Sequence, residues 1–510
     1  MKAVCMALTG GLALSAASIP AREETPLSWF EAGRQAVETA ATLKKHTGVA
    51  HNVILFIGDG MGISTVTAAR ILEGQLRGQS GEENLLSFEG LPYLALSKTY
   101  NTDQQTPDSA GTMSAIMTGV KTRAGVIAVD QRVRTGNCAS AKNAALETFL
   151  EQAEESGLST GVVTTARLTH ATPAATYAHV PDRSWEDDSR LSKEAKAHGC
   201  RDIAWQLVEF SRGNGLEVAL GGGRRGFLPD TAADPEYRDK AGSRKDGRDL
   251  TREWLQKYPN AAYVWNKAQF DAIDPKATDH LLGLFEPSHM AYEHDRPGDS
   301  AGEPSLSEMT AKAMDILSRN PKGYFLMVEA GRIDHAHHAG NAFRALTDTI
   351  ELSRAVQLAR KKASENTLII VTADHSHVFT MGGYASRGNP ILGKVDMGGD
   401  SKGYELAADG KPYTTLSYAN GRGAAMLEKG GDTHYGVAIA AGRNMDLGKI
   451  DTADQGFHQQ ALVPLEAETH GGEDVAIYAG GPGAWLFHGV QEQNVIYHVM
   501  RRAAALEKRR

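Results

Sequence analysis

Cysteine is scarce: Cys5, Cys138 and Cys200 are the three in a chain of 510 residues. That number excludes a disulfide-dense scaffold and any four-ligand zinc or iron–sulfur cluster built from cysteine alone. Positive charge is not in excess either. Lysine and arginine number 54 against 62 acids, a formal charge of -8, which disfavours a nucleic-acid partner held by bulk charge. After the first 21 residues no run approaches the roughly 20 apolar residues that span a bilayer, so the mature chain is expected to carry no membrane anchor. The C-terminal Leu506-Glu507-Lys508-Arg509-Arg510 lacks the hydrophobic tail of a lipid-anchor signal. No repeat of fixed period recurs. What is present suffices for a large core and a wettable surface, at 41% hydrophobic and 23% charged residues. The length alone lies between one large α/β domain and several ordinary ones.

The chain opens with Met1-Lys2, an apolar run from Ala3 to Leu14 and small residues through Ala21. This is the pattern of a secretory signal peptide over 1–21, which predicts export to a periplasm or the extracellular space. Its removal takes Cys5 away and leaves Cys138 and Cys200. An even pair in an oxidising compartment predicts one disulfide.

An amphipathic helix is expected over 27–45. His51 to Gly58 is an apolar, β-rich run closed by Asp59-Gly60-Met61-Gly62, a buried parallel strand that delivers an acid at its C-terminal edge. The alternation continues with helix 141–156, strand 160–165, helix 306–318, strand 324–328, helix 343–361 and strand 367–372. Strands alternating with long helices predict an α/β fold with a large, mainly parallel sheet covered on both faces. Acids and histidines follow several strand ends (Asp59, Glu329, Asp334, Asp374, His375), and ligands of open α/β sheets collect at that edge. Residues 221–305 are rich in turns and charge. Residues 382–468 are rich in glycine and lie between two metal-like motifs, which marks them as an insertion returning to the same sheet.

Eighteen histidines matter only through their positions. In Glu329-Ala-Gly-Arg-Ile-Asp334-His335-Ala-His337-His338, Asp334 and His338 are four apart and share a helical face. Ala373-Asp374-His375-Ser-His377 follows another apolar strand, and Glu468-Thr-His470 precedes a third. Carboxylate and imidazole together suit zinc. Asp334, His338 and His470 make one three-ligand set; Asp59, Asp374 and His375 make another. Glu329, the far side of Asp59 and a hydroxyl such as Thr172 offer oxygens, which suit magnesium. Two such ions would stabilise attacking and leaving oxygens in phosphoryl transfer.

Thr106-Pro-Asp108-Ser109-Ala-Gly-Thr112 opens a helical run, so Ser109 would meet free N–H groups and the positive end of the helix dipole. Beside a two-metal set, it is the candidate nucleophile. Arg183 and Arg167 are both candidates to hold phosphate oxygens.

Taken in order, these stretches resemble the alkaline phosphatase family, its animal-like branch in particular, over roughly residues 50–500. The matching motifs are Asn52 to Gly62, Thr106 to Thr112, Thr169-His170-Ala-Thr172-Pro, Asp182-Arg183-Ser-Trp185, Gly331 to His338, Ala373-Asp374-His375-Ser and Glu468-Thr-His470-Gly-Gly-Glu-Asp, continued by Gly221-Gly-Gly-Arg, Leu284-Phe-Glu-Pro, Val378-Phe and His488-Gly-Val-Gln-Glu-Gln493. The resemblance implies hydrolysis of small phosphate monoesters in two steps, with Ser109 as nucleophile, Arg183 orienting phosphate and His170 orienting water. It implies two zinc ions and one magnesium ion on the ligand sets above. His170 and His335 stand where well-known bacterial relatives carry Asp and Lys. It further implies a calcium site at Glu253, the Phe285 carbonyl, Glu286 and Glu303, a Cys138–Cys200 disulfide, and a homodimer. In domain terms, a catalytic domain of 22–381 and 469–510 would carry a crown insertion of 382–468.

Three other readings share parts of this pattern. A sulfatase needs its modified nucleophile in a Cys/Ser-x-Pro-x-Arg setting, which Ser109-Ala-Gly-Thr lacks. A phosphodiesterase needs room for a second ester substituent. A phosphate- or metal-binding protein without catalysis would not need Ser109, Arg183 and a full ligand set together.

Overall fold

The computed structural model describes residues 24–399, 401–426, 443 and 445–506. The leader expected at 1–21, Cys5 and the last four residues lie outside the described residues. The chain divides into two units, Met1–Lys44 and Lys45–Arg510. In the first, a helix spans Pro26–Ala41. Thr25 caps it: its hydroxyl accepts from Ser28 N at 3.0 Å while the Ser28 hydroxyl accepts from Thr25 N at 2.9 Å, with Pro26 at the first helical position. The helix ends four residues short of the expected 45 and contains no buried residue.

The second unit is built on a ten-stranded sheet. Its strands are β1 (Asn52–Gly58), β2 (Tyr93–Lys98), β3 (Ser159–Arg167), β4 (Val218–Gly222), β5 (Ala261–Val264), β6 (His280–Leu284), β7 (Tyr324–Ala330), β8 (Thr367–Thr372) and two closing strands, Val475–Gly480 and Val490–Glu492. Across the sheet the order is Val490–Glu492, β2, Val475–Gly480, β8, β1, β7, β3, β4, β6, β5. Every pairing is parallel except the two made by Val475–Gly480, which runs antiparallel to both β2 and β8. The mainly parallel α/β architecture read from the sequence is therefore the observed one.

The apolar run of β1 explains the layering. Val53, Leu55 and Ile57 join the core on one face with Met113, Ile116 and Met117 of the helix Ser109–Thr118. Ile54 and Phe56 join the other, with Met309 and Ala313 of the helix Leu306–Leu317 and Leu346 and Ile350 of the helix Ala342–Lys362. A strand buried on both faces has no reason to alternate with polar residues.

Some expectations need correction. The helix expected over 141–156 covers only Phe149–Glu155. Thr148 and Glu151 form a reciprocal capping box that starts the helix there, and Asn143 sits at φ +59 upstream. The turn-rich 221–305 stretch contains β5 and β6, of four and five residues, too short for a periodicity signal. Cys138 and Cys200 form the expected disulfide, closing a sequence separation of 62 residues. Among the described residues, no helix is long and apolar enough to cross a membrane.

The glycine-rich insertion leaves beyond β8 and returns before Val475. Its strand Leu416–Gly421 pairs with Phe379–Met381 and Ala461–Pro464 in a separate three-stranded sheet. On the return, His470–Gly471 pairs antiparallel with Ser376–His377. That two-residue ladder sets His470 beside the loop that follows β8.

Candidate metal and phosphate site

Four adjacent strands, β8, β1, β7 and β3, deliver the site at their C-terminal ends. After β1 the chain turns at Gly60, whose φ of +70 and close approach to His377 both require glycine; a Cβ there would lie 2.3 Å from the imidazole. The turn aims Asp59 inward. β7 contributes Glu329 and runs into the helix Arg332–His338, which carries Asp334 and His338 on one face. Asp374 and His375 follow β8. His170 and Thr172 follow β3, where His170 caps the short helix Ala171–Ala174. Ser109 is the first residue of its helix, which Asp108 caps by accepting from Gly111 N at 3.0 Å.

Ser109, Asp59, Asp374 and His375 meet at one point. His375 Nε2 lies 3.1 Å from Ser109 Oγ, 3.3 Å from Asp374 Oδ2 and 3.5 Å from Asp59 Oδ1. Asp374 Oδ1 accepts from Gly60 N at 3.1 Å and His375 N at 2.9 Å, which leaves Oδ2 for the shared point. Both oxygens of the fully buried Asp59 are without a hydrogen-bond partner among the described residues. Burial and the charges of Asp374, Asp334 and Glu329 push its carboxyl well above the usual range. A buried carboxylate with neither oxygen satisfied is strongly unfavourable unless a cation sits against it.

A second point lies between Asp334, His338 and His470. Asp334 Oδ1 is 3.3 Å from His338 Nε2 and 3.4 Å from His470 Nε2, and those nitrogens are 3.1 Å apart. Each ring donates its other nitrogen to a backbone carbonyl: His338 Nδ1 to Glu468 O at 2.6 Å, and His470 Nδ1 to Pro107 O at 2.8 Å. A carbonyl can only accept, so each Nδ1 carries a proton, and in the neutral rings the two Nε2 lone pairs face each other. Facing lone pairs repel unless they share an ion, and carbonyl-oriented imidazoles are the usual metal ligands.

The third group is rich in oxygen. Glu329 Oε1 and Thr172 Oγ1 are buried without a partner among the described residues, while Glu329 Oε2 accepts from Thr164 Oγ1. Burial, with a contribution from Asp374, pushes the Glu329 carboxyl up to about 7. Asp59, Glu329 and His170 could hold an ion together, as could Asp59, Asp374 and His375. The residues present thus fit two mixed N/O sites and one oxygen-rich site.

The two candidate arginines have different surroundings. Arg183 Nη1 donates to Asp108 Oδ2 at 3.1 Å and Arg183 Nη2 meets His170 Nε2 at 3.1 Å, beside Ser109. Arg167 is instead clamped to Glu186, with Nε and Nη2 each donating at 2.7 Å. Burial and the charges of Arg183 and Arg167 hold His170 well below its ordinary pKa, so it is neutral.

Two residues present in the motifs without an expected role complete the frame. His377 bridges two carboxylates, with Nε2 2.9 Å from Asp334 Oδ1 and Nδ1 2.5 Å from Glu468 Oε2. Against the desolvation of burial, Glu468 and Asp334 push it up to about 10, an imidazolium that locks the Asp334 oxygen in place. Asp108 links the Ser109 helix to Arg183 and also accepts from Gly125 N at 3.0 Å. The detectable signals were His377 two residues beyond His375 on an extended segment, and Asp108 at an N-cap.

The acids expected to hold calcium have different partners. Glu253 is held by Arg248, whose Nε donates at 2.9 Å. Glu286 gathers instead with Glu236 and Asp299, with ligand oxygens within 4.8 Å of one another. Glu303 is buried nearby, its Oε1 accepting from Ala291 N at 2.8 Å and its Oε2 unpartnered among the described residues. Burial, Glu236 and Asp299 push the Glu286 carboxyl up to about 8. Glu253 is paired with Arg248, while Glu236 lies in a turn of the same charged stretch and faces Glu286.

Comparison with known proteins agrees with this geometry. The alkaline phosphatase family model matches residues 50–506. The chain is 45% identical to the tissue-nonspecific alkaline phosphatase of Felis catus over 98% of its length and 93% of that protein, and 44% identical to the Homo sapiens isozyme with the same coverage. Among solved structures, it is similar to the Thermus thermophilus alkaline phosphatase at a TM-score of 0.63 and 25% identity, covering 91% of this chain and 93% of that one. The enzyme of the Antarctic bacterium TAB5, 21% identical with a TM-score of 0.60 over 91% of this chain and all of that one, shares the fold. A chain matched along nearly its whole length, with its acids and histidines gathered at the sheet edge, belongs to the alkaline phosphatase family and is a phosphate monoester hydrolase.

Proposed function

We propose that hydrolysis proceeds through a phosphoserine on Ser109. The observation that carries this reading is the meeting of Ser109 Oγ, His375 Nε2 and the unsatisfied Asp59 carboxylate at the N-terminus of a helix. Asp334, His338 and His470 would hold one zinc ion, Asp59, Asp374 and His375 a second, and Asp59, Thr172 and Glu329 a magnesium ion. When bound, such ions supply positive charge for the attacking and leaving oxygens.

The chain's own residues do the rest. Arg183, fixed by Asp108, holds two nonbridging phosphate oxygens through its planar fork. The Ser109 oxygen loses its proton and attacks phosphorus, the ester P–O bond breaks and the alcohol leaves. Water then attacks phosphoserine, inorganic phosphate departs and the serine is restored. Neutral His170, braced on Arg183, orients that water. The free N–H groups of the helix and Arg183 bear the growing oxygen charge. Trapping a radiolabelled phosphoryl group at low pH should label Ser109. An unlabelled enzyme, with activity unchanged in Ser109→Ala, would defeat the covalent route.

We also propose calcium at Glu286, the Phe285 carbonyl and Glu303, with Glu236 rather than Glu253 beside them. Catalytic segments 22–381 and 469–510 would carry residues 382–468 as a crown over a homodimer contact. Exposed apolar side chains in that segment, Tyr384 (92%) and Leu462 (76%) among them, support this. The Cys138–Cys200 disulfide supports export, periplasmic or extracellular. Sedimentation of the holoenzyme as a monomer at micromolar concentration would reject the dimer.

A further inference from the structure

Away from Ser109, a cavity of about 240 Å³ is walled by Arg167, Arg190 and Arg225 together with Glu186 and Asp187. Both acids are already engaged. Glu186 accepts from Arg167 twice, at 2.7 Å each, and from Thr169 Oγ1 at 2.6 Å. Asp187 accepts from Ser189 N at 2.9 Å, Ser189 Oγ at 2.5 Å and Ser243 Oγ at 2.7 Å. The adjacent Asp188 accepts from Lys245 N at 2.8 Å and lies 3.8 Å from Lys196 Nζ. Among the described residues, neither Arg190 nor Arg225 has a carboxylate within ion-pair distance. Arg190 and Arg225 are both exposed at the cavity mouth, and partial desolvation together with the charge of Arg167 holds the Arg225 guanidinium below its ordinary value.

The cavity is linked to the reaction site along the chain. Thr169 and Ser184 stand in its wall, and their chain neighbours His170 and Arg183 meet at 3.1 Å beside Ser109. Arg167, whose Nη1 contacts His289, ties the wall to the His335 ring, 4.0 Å from that of His289. A volume equal to about eight waters, at roughly 30 Å³ each, admits a phosphoryl group with some hydration. Two unpaired guanidiniums match a dianion in charge, and their forked donors match its terminal oxygens.

We propose that this cavity is a second oxyanion subsite that takes a phosphoryl dianion between Arg190 and Arg225. The ligand is either the remote phosphate of a bisphosphorylated substrate or free phosphate. The substrate form of this proposal rests on Ser109 being the site of ester cleavage. It makes Arg190 and Arg225 specificity-determining residues, without a part in the bond-breaking step.

The test uses the holoenzyme and the double variant Arg190→Ala/Arg225→Ala. One arm compares kcat/KM for p-nitrophenyl phosphate and for propanediol bisphosphate. The other counts radiolabelled inorganic phosphate bound per chain by equilibrium dialysis. A remote substrate phosphate predicts that the variant loses about tenfold or more on the bisphosphate alone, the equivalent of one charge-assisted contact. Free phosphate predicts that binding falls from two ions per chain to one. Unchanged substrate preference together with unchanged stoichiometry would overturn the subsite. So would equal loss on both substrates at unchanged stoichiometry, because the arginines would then act through the fold. Full activity in Ser109→Ala would sink the Ser109 reading instead, and the binding count alone would then decide the subsite.

Discussion

Replacing Glu154 by glutamine should make the protein more stable at alkaline pH, by an amount that grows with pH. Glu154 and Glu217 are buried together at the N-terminal edge of the sheet, opposite the reaction site. Thr160 ties them: its hydroxyl donates to Glu154 Oε1 at 2.5 Å and its N–H to Glu217 Oε2 at 2.7 Å. Glu154 Oε2 has no partner among the described residues. Burial and the neighbouring Glu217 push the Glu154 carboxyl up to about 9, from an unfolded value of 4.5. The native state therefore retains a proton that the unfolded chain has lost. Stability is full below about pH 4.5 and falls as pH rises toward 9, by about 1.4 kcal/mol per unit for one retained proton. Between about pH 6 and pH 9 this amounts to about 4 kcal/mol.

Glutamine keeps the oxygen that Thr160 donates to and adds no charge beside Glu217, and it does not titrate. Urea unfolding of wild-type and Glu154→Gln holoenzymes across that range gives the comparison, and titrations of groups remote from Glu154 cancel in the difference. The variant's advantage should rise with a slope near one proton. A difference that stays flat would refute the reasoning, whatever its size at any one pH.

Three further perturbations follow from the site and its frame. His377→Gln removes the cation that locks Asp334, and should weaken zinc binding by about 10- to 100-fold in metal analysis after dialysis; full metal content would reject the clamp. Asp108→Ala unties Arg183 and the Ser109 helix cap together, so kcat/KM should fall by about tenfold or more while melting shows a loss of about 1 kcal/mol; normal turnover would show that Arg183 needs no anchor. Opening the Cys138–Cys200 loop with paired serines should lower unfolding free energy by about 4 kcal/mol, from chain entropy at that loop length; an unchanged denaturation midpoint would contradict it.

Much of the candidate site could be read along the chain because its acids and histidines stand at fixed offsets from strong apolar strands. Asp59 follows β1, Asp374 and His375 follow β8, and Asp334 and His338 share one turn after β7. Local physics decides each of these: a strand end, a turn at Gly60, a helical spacing of four. The helix expected over 141–156 went wrong for an equally local reason, since the Thr148–Glu151 capping box outweighs the alanine-rich run before it.

The expected calcium ligands show the other limit. Glu253 and Glu236 are both acids in a turn-rich, charged stretch, and only the packed structure distinguishes the one held by Arg248 from the one facing Glu286. Arg167 and Arg183 posed the same question. Both are arginines at strand or turn ends, and the decision came from Glu186 clamping one and Asp108 presenting the other.

By itself, then, the order of apolar strands, helices and acid–histidine motifs determined the α/β class, the sheet edge that carries the site and the candidate ligands, because those depend on neighbours within a turn or a strand. Tertiary structure decided which distant groups touch. It closed Cys138 and Cys200 into one bridge, set His377 between Asp334 and Glu468, paired His470 with the loop after β8, and, among the described residues, left Arg190 and Arg225 without a carboxylate partner. Those outcomes depend on distances across hundreds of residues of chain, and burial then determines which charges must find a partner.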